Sequence, residues 1–420
     1  MNFITKKYFK FFISFMLGLL CFSCSVDKVE NRSSKELFIN AGEEPKSIDP
    51  TLSGNDFVYP RHAFETLIIK GKDGGLKNGV AESLNISEDG LKYTFNLRTN
   101  SKWTDGETVT AGDFVYGLRR AADPSSGAEY TSFIEYVKNA TSILAGDLPK
   151  EMLGVRAIDD YTLEIELESP TGYFLDILTY PIFAPVRQDI IERHGDNWTL
   201  NPATYIGNGA FIMTEKNPDS RIVMIKNTNY WNKEEIIPEK ITFVMMQDPT
   251  LALAGIKEGS LDFSVKVPSQ DIESLKKDGI LDIAPYYSTV AFGINDNDRI
   301  LKDKRIRKAL SLAIDRNYIV EKVVLTAKSP TSAWVPVGAY DVEGDFRENG
   351  GEYLDISKEG YSNNVALAKN LMAEAGYPNG EGFPVLEYRT TSDLVYMQVA
   401  EAVQQMWKEN LGIDLQISSM

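Results

Sequence analysis

Apolar and polar residues alternate strictly over residues 92–98. Tyr93, Phe95 and Leu97 fall on one face and Thr94, Asn96 and Arg98 on the other, the period of a half-buried strand. Asp105-Gly106 predicts a tight turn. Thr110 stands three residues before Asp113 at the head of an apolar run. That spacing is a capping box, with Asp in place of Glu or Gln, and opens a helix through Phe114, Val115 and Leu118. The two-residue period returns over 162–168, where Leu163, Ile165 and Leu167 oppose Glu164, Glu166 and Glu168. Carboxylates can pair for acid–base work, but at period two they read as the wet face of a sheet. The unbroken apolar run 241–246 predicts a strand buried on both faces. A helix from Pro249 to the Gly259 stop follows, then a strand at Leu261-Asp262-Phe263, then a helix capped by Ser269 and ended at Gly279. This strand–helix order implies a parallel-type α/β lobe. Asp303 is placed to cap a helix whose Ile306, Ala309, Leu310 and Ala313 share a face. Helices over 364–375 and 397–410 close at Gly376 and Gly412, and Ile413, Leu415 and Ile417 begin a strand.

At 420 residues the chain exceeds what one core serves, so two or more lobes are expected. A net charge of −16 argues against nucleic acid as a partner. The N-terminus reads as a leader: Lys6, Lys7 and Lys10 precede an apolar core over 11–22, too short to span a bilayer. Ser23-Cys24 then resembles a lipobox, although Cys21 stands where Leu is usual. Cleavage there leaves Cys24 as the one cysteine, so no internal disulfide forms. Residues 24–36 read as a polar tether. His62 and His194 are the only imidazoles. There is no His-Glu-x-x-His, Gly-x-Ser-x-Gly or P-loop, so an envelope hydrolase is a minor alternative. Gly207-Asn208-Gly209 lacks a third glycine and no helix pattern follows it, so no nucleotide site is read there. No cofactor, metal site or catalytic residue is expected.

Trp103-Thr104-Asp105-Gly106, the run 109–116 and Arg119-Arg120 together resemble the hallmark segment of the peptide/nickel/opine family of extracellular solute-binding proteins. Within it they resemble the oligopeptide-binding branch that serves ABC importers. The resemblance continues through residues 44–50, Asp123-Pro124, Tyr130-Thr131-Ser132-Phe133, residues 206–211, Asn229-Tyr230-Trp231-Asn232 and residues 303–316, from about Lys35 to the last residue. It implies an α/β, two-lobed periplasmic-binding-protein-like fold of class II, cluster C type, with an extra small subdomain and an incomplete second lobe. The implied division is 1–23 signal peptide, 24–36 tether, 37–66 with 189–287 lobe I, 67–188 accessory subdomain and 288–420 lobe II. Family members continue well beyond residue 420, and that continuation supplies the acid that meets a peptide's amine.

By the same resemblance, Ser53 and Gly54 fall near positions that contact ligand backbone, and Tyr130 lines the peptide site. Val265 and Lys266 fall near a contact pair, and Ala291 replaces a cleft aromatic beside Phe292. Val324 and Val395 stand where a Lys and a His hold the carboxylate end of shorter peptides. The implied protein is a monomer, lipid-anchored at Cys24 in the cell envelope, periplasmic or on the outer surface. It would capture oligopeptides in an interlobe cleft for the permease subunits of an ABC importer, without enzymatic chemistry. A nickel chelate, a sugar, or a sensor or adhesin role are alternatives on the same fold.

Overall fold

The computed structural model describes residues 33–419 apart from 55–56, 285, 326–327, 342–343 and 392. The expected signal peptide, Cys24 and most of the tether lie outside the described residues. The chain divides into two compact units, residues 1–266 and 267–420.

Two large sheets and a two-stranded antiparallel pair, Ile68–Lys70 with Leu76–Asn78, build the first unit. One has five strands: β1 (Glu36–Asn40), β6 (Phe211–Asn217), β7 (Arg221–Lys226), β8 (Lys240–Val244) and β9 (Phe263–Ser264), in the order β9-β1-β8-β7-β6. β1 runs parallel to both β8 and β9, and the other pairs are antiparallel. The 241–246 run supplies a central strand as far as Val244, with Ile241, Thr242 and Phe243 all buried, while Met245 and Met246 lie beyond its end. The expected strand at 261–263 narrows to two residues. Leu261 turns into the core, and Asp262 meets β1 partly through its side chain, accepting from Phe38 N at 2.8 Å.

The other sheet has four antiparallel strands in the order β2-β3-β5-β4: β2 (Ala81–Ile86), β3 (Lys92–Leu97), β4 (Val155–Asp159) and β5 (Thr162–Glu166). Tyr93, Phe95 and Leu97 are buried, as are Leu163 and Ile165. Glu164 and Glu166 pair with Arg156 and Lys138, each at 2.9 Å, on the wet face that the alternation predicted. Helix α1 (Ala111–Ala122) covers the sheet. Its predicted box is in place: the Asp113 carboxylate accepts from Thr110 N at 2.8 Å and from the Thr110 hydroxyl at 3.0 Å. One contiguous core joins the two sheets, running from Ile48 through Phe95, Phe114 and Trp198 to Phe243.

Helix α2 (Pro249–Glu258) is capped by Asp248 and stopped by Gly259 in the left-handed region. Ser269 does not cap a helix. It opens a 3-10 turn that leads into α3 (Ile272–Asp278), and no side-chain cap bond forms at either entry. The second unit packs α4 (Lys304–Leu312), α5 (Lys358–Glu374) and α6 (Leu394–Leu411) around Ile306, Leu310, Met372, Val403 and Trp407. Asp303 caps α4 by accepting from Arg305 N at 2.8 Å. α5 starts six residues earlier than its apolar pattern, because Ser357 caps it there. β10 (Leu386–Thr390) and β11 (Leu415–Ser419) pair in parallel.

Candidate functional site

The loop after β1 carries Ser53 and Gly54, and Asp49 fixes it. The Asp49 side chain is only 3% exposed and takes two bonds from Arg120 of α1, at 3.0 and 2.7 Å. It also accepts from Trp198 Nε1 at 3.1 Å and from Thr51 N at 2.9 Å. Tyr205 donates to Ile48 O at 2.7 Å, and its complete burial raises the phenol well above its usual pKa. Lys216 ties Glu44 at 2.9 Å. A bidentate guanidinium–carboxylate pair holds both position and orientation. The Ile48-Asp49-Pro50 turn is thereby locked to the helix that the hallmark segment forms.

That lock brings Gly54 beside Glu129 and Tyr130. A Cβ at position 54 would collide with the Glu129 carboxylate, and Gly54 holds φ +52°, a left-handed conformation that suits glycine. Ser53 is buried, and its hydroxyl has no partner among the described residues. Tyr130 lies 5.4 Å from Phe57 and stacks on Phe133 at 5.4 Å, with 12° between the rings. Tyr180 closes the group, 5.6 Å from Phe57 and 4.4 Å from Phe133. All four rings are half-buried, so they form a wall with one wet face. The Arg61 guanidinium lies 5.2 Å over Phe57 and 5.9 Å over Tyr180.

Within the first unit, Val265 and Lys266 stand apart from this wall. Val265 is exposed, and Lys266 reaches Glu43 at 3.9 Å, near the start of the same loop. Ala291 and Phe292 belong to the second unit, where Ala291 is exposed and Phe292 lies 5.3 Å from Tyr388. Phe133 falls in the same motif as Tyr130, whereas Phe57, Tyr180 and Glu129 carried no signal at the sequence level beyond their residue types.

A second polar cluster surrounds Glu65. The buried Glu65 carboxylate accepts from the Tyr230 hydroxyl and from Trp231 Nε1, the latter at 2.6 Å, and Arg98 stacks on Trp231 at 3.8 Å. Asn208 holds the Glu65 backbone at both ends, at 3.0 and 2.9 Å. Burial raises the Glu65 carboxyl to about 7 against the two donors and Arg98. The Asn229–Asn232 motif therefore packs into the core and also solvates a buried acid. Gly207 and Gly209 press against the Ala63 backbone. That close approach accounts for the Gly-x-Gly pair without any phosphate. Among the described residues no group of three His, Cys, Asp or Glu side chains could hold a metal. No described helix is long and apolar enough to cross a membrane.

The family model of bacterial extracellular solute-binding proteins, family 5 (middle region), matches residues 75–420. The chain belongs to that family. It is 32% identical to the oligopeptide-binding protein OppA of Bacillus subtilis over 406 residues, covering 93% of this chain and 72% of that protein. It is 33% identical to the periplasmic oligopeptide-binding protein OppA of Salmonella typhimurium over 401 residues, with the same shares covered. Among solved structures, Burkholderia pseudomallei OppA superposes with a TM-score of 0.78 at 29% identity, covering 93% of this chain and 76% of that one. Haemophilus influenzae OppA in complex with the peptide RPPGFSPFR gives 0.75 at 30% identity, with the same shares. The mixed α/β architecture of family 5 is therefore the fold of this chain, and solute binding in the cell envelope is its family's role.

Proposed function

We propose that this chain is the peptide-capturing lipoprotein of an ABC importer, and that the wall of Gly54, Phe57, Tyr130, Phe133 and Tyr180 receives the ligand. One observation carries the reading: two segments 76 positions apart, at residues 54 and 130, converge on one half-exposed surface, and both are segments that the family resemblance ties to peptide. An extended peptide presents main-chain groups to bare backbone and side chains to rings. That combination gives affinity with little demand on side-chain identity. Water bridges accommodate the variety. Ser53, Val265, Lys266, Ala291 and Phe292 are assigned as further ligand contacts on the resemblance alone. The same holds for the division into lobe I (37–66 with 189–287), an accessory subdomain (67–188) and lobe II (288–420). Acylation at Cys24 would hold the protein at the membrane, each buried methylene adding about 0.8 kcal/mol. The bound peptide then passes to the permease subunits unchanged.

Calorimetry of the leaderless protein against a pooled oligopeptide library, with mass spectrometry of the recovered peptides, tests this. Saturable binding of intact peptides is expected. Cleaved peptides would replace the reading with a hydrolase. No binding of any peptide, with heat on adding a nickel chelate or a sugar, would move the ligand class.

A further inference from the structure

Glu129 is an acid beside the aromatic wall whose placement depends on a missing side chain. Its carboxylate occupies the space that a Cβ at position 54 would fill. Among the described residues it has neither an ion-pair nor a hydrogen-bond partner. The adjacent residue, Tyr130, is the centre of the ring cluster, stacked on Phe133 and 5.4 Å from Phe57. Beside Gly54, the buried Ser53 hydroxyl is likewise unclaimed among the described residues.

A carboxylate at the edge of aromatic faces is the chemistry that recognises a cation. The ring quadrupole attracts positive charge at the face, and the carboxylate supplies a charged acceptor for its N–H donors. The wall already holds one cation this way, the Arg61 guanidinium over Phe57 and Tyr180. Arg61 makes no ion pair with Glu129, so the acid stays unneutralised at contact range. We propose that Glu129 makes this wall select a ligand bearing an ammonium or guanidinium group, placed over Gly54. This rests on the peptide reading above, within which the group is a lysine or arginine side chain of the peptide.

Trilysine, trinorleucine and N-acetylated trinorleucine separate the possibilities, because norleucine keeps the lysine stem and lacks only its charge. The full leaderless chain is titrated with each peptide, alongside Glu129→Gln. A side-chain cation predicts that trilysine binds about 5- to 20-fold tighter than trinorleucine, and that Glu129→Gln abolishes the difference while trinorleucine affinity holds. Acetylation that weakens trinorleucine by a similar factor in the parent protein and not in Glu129→Gln would place the peptide's own amine at Glu129 and overturn the side-chain inference. Glu129 is exposed, so neither substitution threatens the fold. Glu129→Lys, as a second variant, should turn the preference toward triglutamate. Peptide binding in which neither ratio responds to Glu129 overturns this inference and leaves the peptide reading intact. Binding of no peptide at all overturns both.

Discussion

Asp49→Ala should be among the most damaging single changes in the first unit. The substitution leaves the Arg120 guanidinium, 14% exposed, without its carboxylate, and the fully buried Trp198 N–H without an acceptor. Breaking a buried pair from one side costs about 3–5 kcal/mol, because an uncompensated charge remains. The stranded Trp198 donor adds to this, about 1–3 kcal/mol if it acted alone. The two losses share one carboxylate and do not sum, so about 4 kcal/mol is expected. Against a stability of about 5–15 kcal/mol this is a large fraction. Urea unfolding followed by circular dichroism should show the first unit's midpoint falling by more than about 1 M, with a slope of about 3 kcal/mol per M. Peptide affinity should fall with it, since Asp49 orients the loop that carries Gly54. The double variant Asp49→Asn with Arg120→Met removes both charges and should recover part of the loss, a coupling of about 1–3 kcal/mol. A midpoint for Asp49→Ala within about 0.3 M of the parent would refute the claim that this pair locks the loop.

Glu65 predicts a pH dependence. Its folded pKa of about 7 lies above the ordinary 4.5, so between those values the folded state keeps a proton that the unfolded state has released. Stability should therefore fall by about 3 kcal/mol as pH rises from about 4.5 to 7 and then level off, and Glu65→Gln should flatten that fall in melts across the range. Gly207→Ala drives a methyl into the Ala63 carbonyl, 2.9 Å from its carbon, and backbone cannot yield as a side chain can. A loss of about 3 kcal/mol in thermal or urea unfolding is expected. Tyr130→Leu keeps bulk against the core and removes the ring, so calorimetry should show peptide affinity about 10- to 30-fold weaker with little change in melting temperature.

Several elements were legible in the sequence because their causes are local. The alternation at 92–98 and 162–168 became strands with the predicted buried faces, and Asp113, Asp303, Gly259 and Gly412 ended or began helices where their chemistry required. Period and capping act within a few residues, so a one-dimensional reading captures them. Two local signals failed: the helix expected from Ser269 starts later, after a 3-10 turn, and Leu261 left its expected strand for the core. The wall was legible only in part. Gly54, Tyr130 and Phe133 stood out through family motifs, whereas Phe57, Glu129 and Tyr180 come from three stretches of the chain with no shared period. Asp49 meets Arg120 across 71 positions, and Glu65 meets Tyr230 across 165. Such pairings are chosen by packing and by the need to satisfy buried charge, and neither leaves a periodic trace along the chain. The amino-acid order by itself determined which segments are strands and helices and which faces they bury. Only the tertiary structure decided which acid meets which cation, and which carboxylate is left open beside the rings.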